Sequence, residues 1–281
     1  MKSMRRMKAL NRALSPVVVG MIAVYSLTPF AWILLTSIKP PGTENRLPVE
    51  YWPAQPTLEN YRTVLGDLGF GLALRNSFIV SSCVAVLVLI IASLAAYAIA
   101  RLRFRYKLEA LVLVLVGGTI PWVVTIAPIF RVVRELRLLQ SLPGIVLPHV
   151  AYFMPFSVWL LTSYFVQLPF ELEDAANMDG YAPFQVFWRV ILPLASPGLF
   201  STGVFVFLGS WGEFMVALTI SMGLPSAVTV PVAILSLSQQ FRLQWSWVSA
   251  GIILSLVPVV AMVMAFQRWV IRGLTAGAVK H

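Results

Sequence analysis

Few residues in this chain are of a type that does chemistry, so their spacing carries most of the information. Of eleven carboxylates in 281 residues, four (Glu171, Glu173, Asp174 and Asp179) crowd into one short stretch. Pro169 forbids an upstream helix from continuing and suits the start of a new one. Glu171, Glu173 and Asp174 then fall in its first turns, where negative charge complements the helix dipole. Asp179-Gly180 supplies the stop. Leu172, Ala175, Ala176 and Met178 give the helix a small-residue face that another protein's surface can approach closely. Such a pattern is built for docking, and nothing beside it is built for catalysis. No nucleophile–base arrangement stands out, and His149 and His281 offer no metal geometry. No G-x-x-x-x-G-K-[ST] phosphate loop occurs, so no catalytic residue, metal or cofactor is expected in this chain.

A second helix is expected from Pro183, with Phe184, Phe187, Val190 and Ile191 on one side, ending near Pro193. Residues 167–196 thus read as a short rigid knob braced by an aromatic amphipathic helix, suited to a partner's groove and to passing displacement to the helices behind it. A helix lying on lipid would present Lys and Arg to anionic headgroups. Here Arg189 is the only base.

The elements that hold this knob are apolar. Hydrophobic residues make up 59% of the chain and charged ones 11%, with a mean hydropathy of +0.83. Residues 17–38, 76–100, 110–130, 138–170, 190–212 and 243–267 contain no Asp, Glu, Lys or Arg, and about 20 apolar residues suffice to cross a bilayer. The expected class is an all-α polytopic membrane protein of about six transmembrane helices, forming one domain over 1–281 with its core at 72–271. Helices are expected near 16–38, 72–100, 110–133 (kinked at Gly117, Gly118 and Pro121), 143–166, 197–220 and 249–271. Residues 1–15 form a basic arm, retained rather than cleaved, 39–71 an external loop, 167–196 a cytoplasmic segment and 272–281 a cytoplasmic tail. The uncharged stretch 214–241, with Gly223, Pro225 and Pro231, suits a re-entrant or external segment better than a seventh span. With both termini inside, 13 Lys and Arg lie on the cytoplasmic side and eight outside, the bias expected of a membrane protein. Arg131, Arg134 and Arg137 depart from it on one helix face, which snorkelling accommodates. This distribution explains the net charge of +10 without nucleic acid. The single cysteine, Cys83, is expected to be buried and structural.

Residues 173–198 resemble the cytoplasmic coupling motif of ABC importer permeases, EAA-x-x-DG followed by a Phe-rich helix and Leu-Pro. The matching residues are Asp174, Ala175, Ala176, Asp179, Gly180, Phe187, Leu192 and Pro193, with Asp174 standing where the family has Glu. Asn76-Ser77, Ala95-Ala96-Tyr97-Ala98, Arg101-Leu102-Arg103-Phe104, Trp211-Gly212-Glu213-Phe214 and the terminal stretch 267–280 are similar to the carbohydrate-uptake branch, to the second permease of maltose- and trehalose-type systems. In that branch Asn stands where this chain has Gly212. The resemblance implies an inner-membrane subunit of a prokaryote that forms half of the path for a di- or oligosaccharide by alternating access. It implies a second permease subunit, two ATP-binding subunits that hold ATP and Mg, and an extracytoplasmic solute-binding protein as partners, besides lipid. Glu171, Glu173, Asp174, Ala175, Ala176, Asp179, Gly180, Phe187 and Pro193 are then the residues that couple to the ATPase.

Asn76, Trp211, Gly212 and Glu213 are the candidates for the path. Glu213 is the one carboxylate near a span's interior, where an unpaired charge is costly. Placement at the outer interface, or pairing with Arg242 or a partner subunit, is the alternative. Asn76 reads equally as a helix cap. Tyr97, Tyr152 and Trp211 could stack on a sugar or anchor at an interface, and His149 falls in a stretch read as external. An ion-coupled carrier would place several ionisable groups in mid-membrane and show inverted repeats, and a scaffold would have no use for the acidic knob. Glycerol phosphate or another non-sugar solute for the same permease role stays open.

Overall fold

A helix that crosses hydrocarbon satisfies its own backbone hydrogen bonds, and the difficulty arises where it breaks. The structure, a computed structural model, describes residues 2–44, 48–239 and 244–276, and among these every regular element is a helix. In order these are α1 (Lys2–Ser37), α2 (Glu59–Leu65), α3 (Phe70–Arg101), α4 (Lys107–Gly118), α5 (Trp122–Glu135), α6 (Leu142–Gln167) and α7 (Glu171–Met178). Next, α8 (Pro183–Val186), a π-helical turn (Phe187–Ile191) and α9 (Leu192–Leu194) run together. The remainder are α10 (Ser196–Trp211), α11 (Met215–Ser221), α12 (Val230–Gln239) and α13 (Trp245–Ala276).

Among the described residues four helices are long and apolar enough to span a membrane: Ser15–Ser37, Phe70–Arg101, Leu142–Gln167 and Trp245–Arg268. Two bent pairs, Lys107–Gly118 with Trp122–Glu135 and Pro183–Leu194 with Ser196–Trp211, raise the number to six if each counts as one span. The first pair turns by 92°, far more than the kink expected at Gly117, Gly118 and Pro121. The reason is local: Gly118 ends α4 and Pro121, with ψ 125°, stands outside α5. Other expectations are corrected. Helix α1 begins at Lys2 rather than near Pro16, so the basic arm is helical. Helix α10 stops at Trp211 instead of reaching Ile220. The 214–241 stretch, by contrast, holds the short helices α11 and α12, neither long enough to be a seventh span, in line with the expectation. Cys83 is exposed on α3. Arg46, Arg242 and the residues from 277 onward, His281 included, lie outside the described residues.

The chain divides into two compact units, residues 1–68 with 234–256 and residues 69–233 with 257–281. In the first, the Asn60 side chain of α2 donates to the Ser37 and Lys39 carbonyls at 2.8 and 2.7 Å, and Thr57 N–H donates to Ile38 O. The orphan carbonyls at the end of α1 are thereby paired.

The second unit packs α3, α6 and α10 against one another. Helix α3 turns a row of small residues inward (Ala73, Ser77, Ser81, Ala85, Ala92, Ala96 and Ala100), which lets backbones approach in the absence of a hydrophobic drive between helices. Glycines do the same for α10. A Cβ at Gly198 would meet the Tyr164 ring at 2.5 Å, and one at Gly209 the Phe153 ring at 2.5 Å. Gly209→Ala is therefore expected to cost about 1–3 kcal/mol, the usual penalty of overpacking. Gly212→Ala, with nothing nearer than Leu208 O at 3.6 Å, should be close to neutral. Thermal unfolding of the two variants in detergent checks the contrast.

Candidate functional site

Two clusters in the second unit bear on function, one around α7 and one at the break between α10 and α11. Leu168, extended with ψ 136°, closes α6, and α7 opens after Pro169 with Glu171, Glu173 and Asp174 in its first turn. The helix ends as Asp179-Gly180 predicts. Asp179 N–H donates to Ala175 O, Gly180 N–H to Asn177 O and Tyr181 N–H to Ala176 O, at 3.0, 3.0 and 3.1 Å. Gly180 sits at φ +83°, a left-handed conformation that glycine adopts at no steric cost. The chain then reverses into α8, where Gln185 Oε1 accepts from Ala182 N–H at 2.9 Å. The π turn precedes Pro193, which has no N–H and would collide with the carbonyl four residues back. Widening the helix there, with Leu192 N–H reaching Phe187 O, accommodates the proline.

The two faces of α7 differ. Glu171, Asp174, Ala175, Met178, Asp179 and Gly180 are exposed, Met178 by 89%, and the nearby Phe184 and Trp188 are exposed too. Ala176 is buried, so the expected small-residue face is split between inside and outside. Glu173 departs from its expected place in an exposed acidic turn. Its carboxylate lies 3.0 Å from Arg101 Nε and accepts from the Tyr97 hydroxyl at 3.3 Å. Arg101 also donates through Nη2 to Leu168 O at 2.6 Å and covers the Phe170 ring at 4.3 Å. Phe187 is fully buried, with its ring centroid 4.9 Å from that of Tyr97. Tyr97 is therefore bound up with the knob and is no platform for a sugar.

At the second cluster α10 ends at Trp211, and Glu213 turns its carboxylate onto the start of α11, accepting from the N–H groups of Val216 and Ala217 at 3.0 and 3.1 Å. It also accepts from Trp122 Nε1 at 3.2 Å and meets His149 Nε2 at 3.0 Å. His149 Nδ1 lies 2.9 Å from Ser210 Oγ. With its proton on Nε2 the ring donates to Glu213 and accepts from Ser210, and a protonated ring donates to both. Side-chain exposure is 1% for His149 and 10% for Glu213. His149 is thus a buried residue of α6, not part of an external stretch, and Glu213 is paired within this chain. Trp122 leans on Tyr152, centroids 4.2 Å apart. The sequence marks Glu213 as a candidate and leaves His149 in the uncharged run 138–170, but nothing local names either as the other's partner.

The structure also places the remaining path candidates. Trp211 is buried and stacked on Phe207 at 5.7 Å. Gly212 is exposed. Asn76 is buried and donates to the carbonyls of Pro225, Ser226 and Val228 at 3.3, 3.4 and 3.0 Å, while the neighbouring Ser77 Oγ accepts from Val230 N–H at 2.7 Å. Asn76 therefore staples an irregular segment whose carbonyls lack helical partners. Asn76→Ala is expected to destabilise the fold by about 1–3 kcal/mol, the cost of stranding buried polar groups, and to raise amide exchange in residues 224–230. Among the described residues no three His, Cys, Asp or Glu side chains come together to hold a metal.

Comparison with known proteins points the same way. Residues 68–276 match the family described as binding-protein-dependent transport system inner membrane component. The chain is 37% identical to the trehalose/maltose transport system permease protein MalG of Thermococcus litoralis, over 98% of this chain and 99% of the relative. It is 36% identical to the trehalose transport system permease protein SugB of Mycobacterium tuberculosis, over 92% and 94%. It is 35% identical to the sulfoquinovosyl glycerol transport system permease protein SmoH of Agrobacterium fabrum, over 93% and 91%. A crystal structure of a bacterial ABC transporter importing the acidic polysaccharide alginate contains a chain of the same fold, with a TM-score of 0.81 at 22% identity, covering 94% of this chain and 97% of that one.

Proposed function

This chain belongs to the family of inner membrane components of binding-protein-dependent transport systems, and from that premise we propose that it carries a sugar, a di- or oligosaccharide, through one half of a path shared with a second permease subunit. Relatives named for trehalose, maltose and sulfoquinovosyl glycerol support the solute class. ATP is bound and hydrolysed, with Mg, by two separate subunits, in keeping with the lack of a phosphate loop in this sequence. A solute-binding protein delivers the sugar from outside, and both termini and α7 lie in the cytoplasm, where the positive-inside rule puts them.

The observation that carries this reading is the exposed face of α7. Glu171, Asp174, Ala175 and Met178 stand clear of their own chain at the end of a span, and charged and apolar groups together, with no base among them, suit a protein groove better than lipid. Closure of the ATPase pair displaces α7 and turns the path from one side of the membrane to the other. The test is uptake of labelled trehalose and maltose into vesicles holding the full set of subunits. Uptake should stop when ATP hydrolysis is blocked and survive an ionophore. The opposite pattern would identify an ion-coupled carrier and overturn the proposal, and uptake of glycerol phosphate in place of either sugar would overturn the solute class.

A further inference from the structure

The basic cluster after α3 is not uniform. Arg103, Arg105 and Lys107 are exposed, as topology signals are, whereas the Arg101 side chain is 1% exposed and pairs with Glu173, itself 16% exposed. Burying two charges costs more than letting them reach water, and replacing such a pair by apolar residues is often neutral or stabilising. Stability alone therefore does not account for a buried arginine where an exposed one would serve topology equally well.

What the pair does is mechanical. One rigid guanidinium engages α7 by the ion pair of its Nε with Glu173 and the chain just before it by the hydrogen bond of its Nη2 to Leu168 O. Tyr97, one helical turn earlier on the same face, binds Glu173 and rests against Phe187 beyond the reversal. The start of the knob and the turn beyond its reversal are thus both tied to the last two turns of α3. Of the four spans that helix alone has no internal proline to kink it, where α1, α6 and α13 each carry one or more. At its other end, about 35 Å away at 1.5 Å per residue, Asn76 and Ser77 hold residues 225–230.

Resting on the coupling role proposed for α7, we propose that Arg101 is the positioning residue that receives the stroke: gripping Glu173 and Leu168, it makes displacement of α7 a displacement of α3, which delivers it to the Asn76–Ser77 staple. Glu173 then faces its own chain, and Asp174 beside it faces the partner.

The test uses the assembled transporter in vesicles, comparing wild type, R101M, R101K and the double swap R101E/E173R. Three quantities are measured: complex recovered, ATP hydrolysed with and without the binding protein as purified, and trehalose or maltose imported per ATP. R101M is expected to assemble and hydrolyse ATP, to lose stimulation by the binding protein, and to import about tenfold less sugar per ATP, within the usual range of coupling between sites. R101K keeps the ion pair but not the two-point grip and should fall between. The swap should regain coupling in part. Wild-type import per ATP in R101M overturns the proposal. So does a loss of uptake that only tracks the loss of assembled complex, or a swap no better than R101M while equally well assembled. Failure of wild type to import either sugar counts against the solute reading instead, and stimulation of hydrolysis by the binding protein, lost in R101M or kept, still decides the role of Arg101.

Discussion

Replacing Gly180 with proline should abolish ATP-driven uptake, with a fall of at least about tenfold, while the chain still inserts in the membrane. Gly180 holds φ +83°, and proline is confined to about −65°, so the reversal between α7 and α8 cannot close. Gly180 N–H also donates to Asn177 O, and proline has no N–H to give. The exposed face of α7 would then be re-aimed relative to Phe187 and the π turn. Gly180→Ala is milder. Nothing lies within 4 Å of its Cβ, and a left-handed alanine costs about 1–2 kcal/mol. Asp174→Lys bears on docking far more than on folding, because Asp174 is exposed and reversing its charge at the start of α7 costs only about 0.3–1 kcal/mol through the helix dipole. Continued ATP hydrolysis without uptake is the expected result for Asp174→Lys. Unchanged sugar import per ATP in both Gly180→Pro and Asp174→Lys would remove α7 from the coupling role.

Glu213→Ala should be strongly destabilising, costing more than the ~1–3 kcal/mol of a single stranded buried polar group. Four donors converge on that carboxylate: Trp122 Nε1, His149 Nε2 and the N–H groups of Val216 and Ala217. Alanine strands them all where no other acceptor is in place. Glu213→Gln keeps the shape but sets an amide NH2 against donors, so it should recover only part of the loss. His149→Ala should cost less, since three of the four donors remain. Unfolding in detergent, with the double variant Glu213→Ala/His149→Ala completing a cycle, measures the coupling. Additive losses would show that the histidine and the carboxylate act separately.

The segment around α7 was legible because its signals are local. Pro169, Asp179-Gly180, Pro183 and Pro193 start and stop helices through their own backbone restrictions, and the structure places α7 and α8 at those punctuation marks. The breaks at Pro121 and Trp211 were harder to read. Residues 110–130 are free of charge, and a hydropathy pattern does not distinguish a kinked span from one that turns by 92°. The ending of α10 depends on Glu213 satisfying the first donors of α11, and Glu213 in turn depends on two side chains from other helices.

By itself the sequence determined the properties that arise from period, length and backbone restriction: an all-helical membrane chain, its apolar runs, the family it belongs to, and a short acidic helix between the fourth and fifth crossings. Only the tertiary structure decided which way each charge points. Glu173 and Asp174 are neighbours of the same chemistry, about 100° apart on a helix. One meets Arg101 inside the fold, and the other stays exposed. His149 and Glu213, 64 residues apart, become a pair only when α6 and α10 pack. A buried charge is defined by its partner, and in this chain the partners lie on other helices, beyond the reach of any local pattern.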